Sequence, residues 1–174
     1  MIWLIVIAIL LLIFYLINRS VDTPHVWHKG FDNLKFSSDE FYKSCEETIK
    51  KREIPGITFS RAEYFEDGTM RTKREYLHVN RGECHYDICA APFGTGFFVS
   101  SWYAEKPDFI SKILRSIPIL KPFVESRTYY QIDTEYMFQS FVHTGMLEAI
   151  DEMTTSKGMR ALTEYERRLP DNKK

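Results

Sequence analysis

The stretch EYLHVNRGECHYDI, residues 75–88, decides the predicted fold. Apolar and polar residues alternate on both sides of Arg81-Gly82, as in two half-buried strands joined by a tight turn. If these two residues form the loop, Val79 faces Cys84 and Leu77 faces Tyr86 across the hairpin. One apolar face then contains Leu77, Val79, Cys84, Tyr86 and Ile88, which predicts an antiparallel pair packed on a core.

The hairpin extends in both directions into a predicted four-strand meander. Residues 57–66 are rich in strand formers and turn at Asp67-Gly68 into a strand over about 70–80. Strands over 83–90 and 97–104 follow, separated by Pro92 and two glycines. Gly94-Thr95-Gly96 precedes a strand and not a helix, so a bend or bulge explains it better than a phosphate loop.

Helices are predicted on both sides of the meander. Ser37 and Glu40 form a capping-box pattern, and Phe41, Cys45 and Ile49 follow at helical spacing, which makes Cys45 a core cysteine. Beyond the meander we predict an amphipathic helix over 109–117 and a fifth strand over 127–132.

The longest predicted helix covers 134–156, begins after Asp133 and ends at Gly158. Its predicted inner stripe is Met137, Phe138, Phe141, Val142, Gly145, Ala149 and Met153. Thr163 and Glu166 form a second capping box, which begins a short last helix. Helices around a run of antiparallel strands predict an α+β domain.

The first residues, MIWLIVIAILLLIFYLI, contain no charged side chain, proline or glycine. A helix of this length rises about 25 Å, which predicts a transmembrane anchor. A cleaved signal peptide is the alternative, but there is no basic n-region and no A-x-A-like site. The predicted fold class is therefore an N-terminal transmembrane helix followed by an antiparallel β-meander sheet packed with helices. The predicted domains are an anchor (1–18), a juxtamembrane linker (19–36) and a soluble α+β domain (37–170).

Charge and cysteine content predict the compartment and restrict the partners. Arg19, Lys29 and Lys35 follow the apolar segment, so the positive-inside rule predicts a single-pass protein of the cell (inner) membrane with a cytoplasmic C-terminal domain. Three cysteines without regular spacing indicate free thiols, which agrees with the cytoplasm. The formal net charge of −1 argues against a nucleic-acid partner. The predicted partners are the lipid bilayer and a protein or membrane complex.

The clearest candidate for chemistry is the group His78, His85, Asp87 and Cys89. In the hairpin register above, the two histidines face each other, and the other two residues follow on the same face. Such a set could hold zinc or supply a Cys–His nucleophile pair. Its spacing matches no known motif, so paired surface or half-buried histidines are the simpler interpretation. No catalytic residue and no cofactor is predicted.

A second candidate is an apolar contact surface. Phe93, Phe97 and Trp102 are expected to be exposed, together with the segment 109–124. The predicted membrane or partner contacts are Trp102, Phe109, Ile110, Ile113, Leu114, Ile117, Leu120 and Phe123. A basic amphipathic helix of this kind could lie in the lipid headgroup region or pack on the sheet.

Three strings carry a resemblance: KREYL (73–77), DICAAPFGTGFF (87–98) and TSKGMRAL (155–162). They resemble strings in a group of bacterial membrane-anchored proteins to which no activity is assigned. The resemblance implies a bacterial cell-membrane protein and carries over no site residue.

Three functions follow as hypotheses. The first is a membrane-anchored, non-enzymatic interaction or accessory module with a cytoplasmic α+β domain. The second is a metal-binding or hydrolytic domain that uses the His78 group. The third is a small subunit of a larger membrane complex.

Overall fold

The computed structural model describes residues 25–65, 73–105 and 128–169 of the chain. These residues form five strands and three helices. The strands are β1 (His25–Phe31), β2 (Thr58–Phe65), β3 (Lys73–Arg81), β4 (Cys84–Phe93) and β5 (Gly96–Glu105). The helices are α1 (Ser38–Lys50), α2 (Tyr129–Ser156) and α3 (Glu164–Arg167).

The strands form one antiparallel sheet in the order β1-β5-β4-β3-β2. The predicted α+β meander is thus confirmed, but its register differs by two residues. Arg81 pairs with Cys84, so the loop is Gly82-Glu83 and Val79 faces Tyr86. A shift of two residues keeps every side chain on its predicted face, because strand side chains alternate with a period of two.

Both long helices pack on one face of this sheet. The predicted core positions of α1, Phe41, Cys45 and Ile49, are completely buried. Facing them on the strands, Leu77, Val79, Tyr86 and Ile88 are equally enclosed. Burying a large apolar side chain of this kind contributes about 1.5–3 kcal/mol each, so this layer is the main source of stability.

Tyr42 fixes α1 to the middle of the sheet. Its hydroxyl accepts a hydrogen bond from the backbone N–H of Ala90 at 2.8 Å and donates to the carbonyl of Glu75 at 2.6 Å. Since the donor and acceptor belong to neighbouring strands, the side chain sets the position of α1 across the β3–β4 pair.

The first strand and the start of α2 differ from the prediction. Residues 25–31, expected within a linker, form β1 along β5. The predicted strand over 127–132 is wrong from Tyr129 on, because α2 begins there, and Asp133 lies inside that helix. Thr128 and Gln131 form a capping box, so α2 is capped five residues earlier than predicted from Asp133.

The end of α2 and the start of α3 follow their sequence signals. At the end of α2, Gly158 has a φ of +71°, and the N–H of Met159 donates to the carbonyl of Thr154 at 2.9 Å. Together with the bond from Gly158 to Thr155, this is a Schellman motif, which confirms the predicted glycine stop. The predicted capping box that opens α3 is also present.

The membrane-spanning part of the predicted fold class needs correction. In residues 25–65, 73–105 and 128–169, no helix is long and apolar enough to cross a membrane. The fold class is therefore an α+β domain with a five-stranded antiparallel sheet, and the single-pass description is withdrawn with it. The predicted anchor over 1–18 lies outside the described residues.

Candidate functional site

The four predicted ligands lie on the sheet face opposite α1 and α2, which we call the outer face. On this face, strand pairing places Ser60, His78, Asp87 and Trp102 in one row across four strands. Neighbouring strands lie about 4.8 Å apart, so the row spans roughly 14 Å. Its register makes His78 face Asp87 and not His85.

His78 is the centre of a short polar chain. Its Nδ1 is hydrogen-bonded to Oδ1 of Asp87, and its Nε2 lies 3.4 Å from the Tyr64 hydroxyl. Partial burial, followed by the charge of Asp87, raises the pKa of Tyr64, so its hydroxyl stays protonated at neutral pH. A carboxylate on one imidazole nitrogen fixes the ring and leaves the other nitrogen for proton transfer.

The other two predicted ligands do not join this chain. His85 faces Asn80, and its Nδ1 lies 2.5 Å from the side-chain oxygen of that residue. Cys89 faces Tyr76 and Ser100 and is 1% exposed. Burial raises the pKa of the Cys89 thiol, which is the opposite of what a nucleophile needs.

Within the described part of the chain, no three His, Cys, Asp or Glu side chains are grouped so that they could hold a metal ion. Of the four predicted residues, only His78 and Asp87 pair with each other, whereas His85 contacts Asn80 and Cys89 faces Tyr76 and Ser100. Zinc binding stays a prediction from the sequence. Tyr64 was missed by sequence reasoning, and only the β2–β3 register brings it to His78.

The opposite side of the molecule carries a different feature, a stripe on α2 of three large apolar residues and one threonine. Tyr130, Thr134, Met137 and Phe141, which we call the seam, lie at spacings of four, three and four residues. Tyr130 is 78%, Met137 53% and Phe141 47% exposed. Met137 and Phe141 were predicted in the inner stripe, but the buried stripe runs through Phe138, Val142, Met146 and Ile150 instead.

The seam lines a groove of about 330 Å³. The opposite wall is the turn after α1, Arg52 to Pro55, together with Arg81 at the end of β3. The Nη2 of Arg52 pairs with Glu148 at 2.7 Å, and its buried Nε has no hydrogen-bond partner among the described residues. Arg81 donates from Nε to the carbonyl of Pro55 at 2.9 Å. The groove therefore combines an apolar floor with two guanidinium groups.

The predicted contact residues are placed differently. Trp102 is 38% exposed on the outer face, next to Asp87, and Phe93 is exposed. Phe97 was expected at the surface but is buried, because it lies on the helix side of β5 and packs against Phe41. The contacts predicted at Phe109, Ile110, Ile113, Leu114, Ile117, Leu120 and Phe123 lie outside the described residues.

Fold and surface together define a class: an α+β protein with a two-helix layer on an antiparallel sheet and an apolar groove beside the longer helix. Comparisons with protein-family models, curated proteins and solved structures give no match. The resemblance to bacterial membrane-anchored proteins stays a prediction from the three strings.

Proposed function

We propose that the protein is a non-enzymatic interaction module that binds a segment of another protein in the groove beside α2. The observation that carries the proposal is the exposure of the seam. Soluble helices normally turn large apolar side chains inward, and contiguous apolar surface usually marks a binding site. Aromatic residues, methionine and arginine are the types enriched in protein interfaces, and all of them occur here.

The groove also has the dimensions of a peptide site. The seam spans twelve residues of α2, from Tyr130 to Phe141, and the rise between these two ends is about 16 Å. Its floor belongs to a helix fixed by the core, so the surface is preorganised and binding does not require α2 to fold first. The two guanidinium groups on the opposite wall supply hydrogen-bond donors for orientation.

The test is a peptide selection from a random display library on the full-length protein. The seam variant Met137→Gln/Phe141→Gln removes the apolar floor. The matched control Tyr129→Gln/Tyr165→Gln removes two exposed aromatic residues outside the groove. We expect selected peptides to bind the wild type and the control alike and to lose most of their affinity for the seam variant.

Both seam residues are about half exposed, so polar replacements leave the core intact. Circular dichroism of each variant checks this directly. If the peptides bind the seam variant as well as the wild type, or if none is enriched, the interaction module is the wrong function.

A second candidate function is hydrolysis at the outer face, and the His78–Asp87 pair is the observation in its favour. In this reaction a water molecule would take the place of the Tyr64 hydroxyl, which lies 3.4 Å from Nε2 of His78. Nε2 would accept a proton from that water molecule while the water oxygen attacks an ester carbonyl carbon. The same proton then returns to the departing alkoxide. General-base catalysis of this kind contributes about 10²–10⁴-fold.

Hydrolysis of p-nitrophenyl acetate distinguishes this candidate. Asp87→Asn should reduce the rate at least about tenfold if the carboxylate orients His78. The control is His28→Gln, because His28 lies on the same face but stacks on Phe98, and no carboxylate in the described ranges pairs with it. Equal rates for the two variants would rule out the hydrolytic function.

A further inference from the structure

The spacing of the seam defines the shape of its partner. Steps of four, three and four residues are the d, a, d, a positions of a heptad repeat. Residues at this spacing form a nearly straight line on one side of a helix, where a second helix packs its own side chains between them. An extended strand needs a free sheet edge, whereas this groove is bounded by helix α2 and a turn.

The charge on the groove wall defines the chemistry of that partner. Arg81 uses Nε on Pro55, and among the described residues its two terminal nitrogens have no hydrogen-bond partner. Arg52 shares one terminal nitrogen with Glu148, and its Nε is buried against Gly145 of α2, so Arg81 supplies most of the accessible donors on this wall. Glu53 also lines the groove and partly offsets these charges. Carboxylates complement guanidinium groups with paired hydrogen bonds.

We infer that the seam takes an amphipathic helix of a partner protein, with apolar residues at its a and d positions and carboxylates along the flank that faces Arg52 and Arg81. This inference rests on the proposed function and adds the partner's shape and charge. A second copy of the chain fits less well, because it would bring two further arginines to the same wall. Of the carboxylates that it would add, Glu148 is already paired with Arg52 of its own copy.

Three synthetic peptides of about two heptads test the inference. The first has leucines at a and d and glutamates at the flanking positions. The second replaces the glutamates with lysines, and the third keeps the glutamates but has a central proline, which breaks the helix. Binding to the full-length protein is measured by fluorescence anisotropy at 50 and at 300 mM salt.

We expect the glutamate peptide to bind at least about fivefold more tightly than the lysine peptide, and the preference to shrink at high salt. Arg81→Gln should reduce this preference. The matched control is Arg74→Gln, which removes the same charge from an exposed position at the other end of β3. The proline peptide should bind much more weakly, since the seam can pack only against an intact helix.

The outcomes separate the two proposals. Equal binding of the glutamate and lysine peptides, lost in Met137→Gln/Phe141→Gln, overturns the charge assignment and leaves the interaction module standing. Proline tolerance overturns the helical shape in the same way. A seam-dependent dimer in sedimentation, or nuclear Overhauser contacts from the Met137 methyl group to residues 106–127 of the same chain, would show another occupant and overturn the inference. The interaction module itself is refuted only by the library selection, if no peptide is enriched or if the selected peptides bind the seam variant as well as the wild type.

Discussion

Replacement of Gly145 by alanine should destabilise the protein although it improves the helix propensity of α2. An alanine Cβ at this position would lie 2.7 Å from Cγ1 of Ile49, 3.2 Å from Nε of Arg52 and 3.4 Å from Cα of Ile49. Carbon atoms in contact are normally 3.5–4.0 Å apart, so α1 must move or Ile49 must leave its rotamer. Ile49 is completely buried and its χ1 angle is stiff, so neither change is free.

The net effect can be estimated from two opposing contributions. Forcing one extra methyl group into a packed core costs about 1–3 kcal/mol. Replacing glycine by alanine in a helix gains up to about 1 kcal/mol. Because the added Cβ would lie 2.7 Å from a buried, stiff side chain, the packing cost belongs in the upper part of its range, about 1.5–3 kcal/mol. After the helix gain of about 1 kcal/mol is subtracted, the free energy of unfolding should fall by about 0.5–2 kcal/mol.

Urea denaturation followed by tryptophan fluorescence measures this change. The midpoint should fall while the slope with urea stays constant, since the same surface is exposed on unfolding. Gly30→Ala is the matched control: its added Cβ has no atom within 4 Å, and Gly30 lies outside the left-handed region. If Gly145→Ala is as stable as the wild type, the close approach of α1 and α2 has been misjudged. The same variant should alter peptide binding, because Arg52 lies against Gly145 and forms one groove wall.

Three further predictions concern the sheet, the buried network and the start of α2. Gly96→Ala should lower the free energy of unfolding by about 2–3 kcal/mol in urea titrations, because its Cβ would lie 2.6 Å from the backbone carbonyl oxygen of Phe31. Burial lowers the pKa of His143, against a smaller opposite effect of its hydrogen bond to the Arg167 carbonyl. Below about pH 6.5 the unfolded state therefore binds more protons than the folded state. The free energy of unfolding has its full His143 contribution above that pH and decreases as the pH is lowered, by at most about 1.4 kcal/mol per pH unit. Urea midpoints measured from pH 8 to 5 should show this slope in the wild type and a flatter one in His143→Gln, and equal slopes would contradict it. Thr128→Ala should cost about 1 kcal/mol in the same assay, whereas Thr128→Ser should be nearly neutral, since a hydroxyl still caps α2.

Local sequence rules predicted the parts of the fold that depend on neighbouring residues. The alternation around residue 81 placed the side chains on the correct faces, and the helix of Phe41, Cys45 and Ile49 was correct. The register error has a local cause as well. A two-residue loop of the type II′ class has glycine at its first position, which selects Gly82-Glu83 as the loop.

Local sequence rules could not predict the first strand, because the residues that stabilise it are distant in the chain. β1 pairs with β5, some seventy positions further along the chain. The indole N–H of Trp27 donates to the Glu166 carbonyl at 2.8 Å, and Lys29 pairs with the carboxylate of the same residue. Arg160, then Lys29 and Thr163, hold the pKa of Glu166 well below its usual range. The stretch HVWHKGF itself contains none of these partners. It also contains a glycine and a lysine, two residue types that are uncommon in strands.

The candidate site on the outer face also combines a feature that local sequence predicts with one that depends on the pairing of strands. Sequence alternation correctly put His78, His85, Asp87 and Cys89 on one face. Which of them meet depends on register, and a shift of two residues turned a pair of histidines into a histidine–aspartate pair. A shift of this size leaves an apolar core unchanged but changes the chemistry of a polar face. Predictions of ligand sets from strand alternation therefore need the loop assigned first.

Helix α2 is where the failure of a sequence rule carries functional information. Its pattern is apolar on two sides: Phe138, Val142 and Met146 point into the core, and Met137 and Phe141 point beside it. The two sets are offset by one residue, which is a rotation of 100° around the helix, and only the set with Phe138 is fully buried. The described part of the chain packs only the first set. A surface helix needs one apolar side for its own fold, so a second side at heptad spacing is expected to serve another contact. The misassigned residues are thus the ones that the proposed partner helix would cover, and replacing them should affect binding far more than stability.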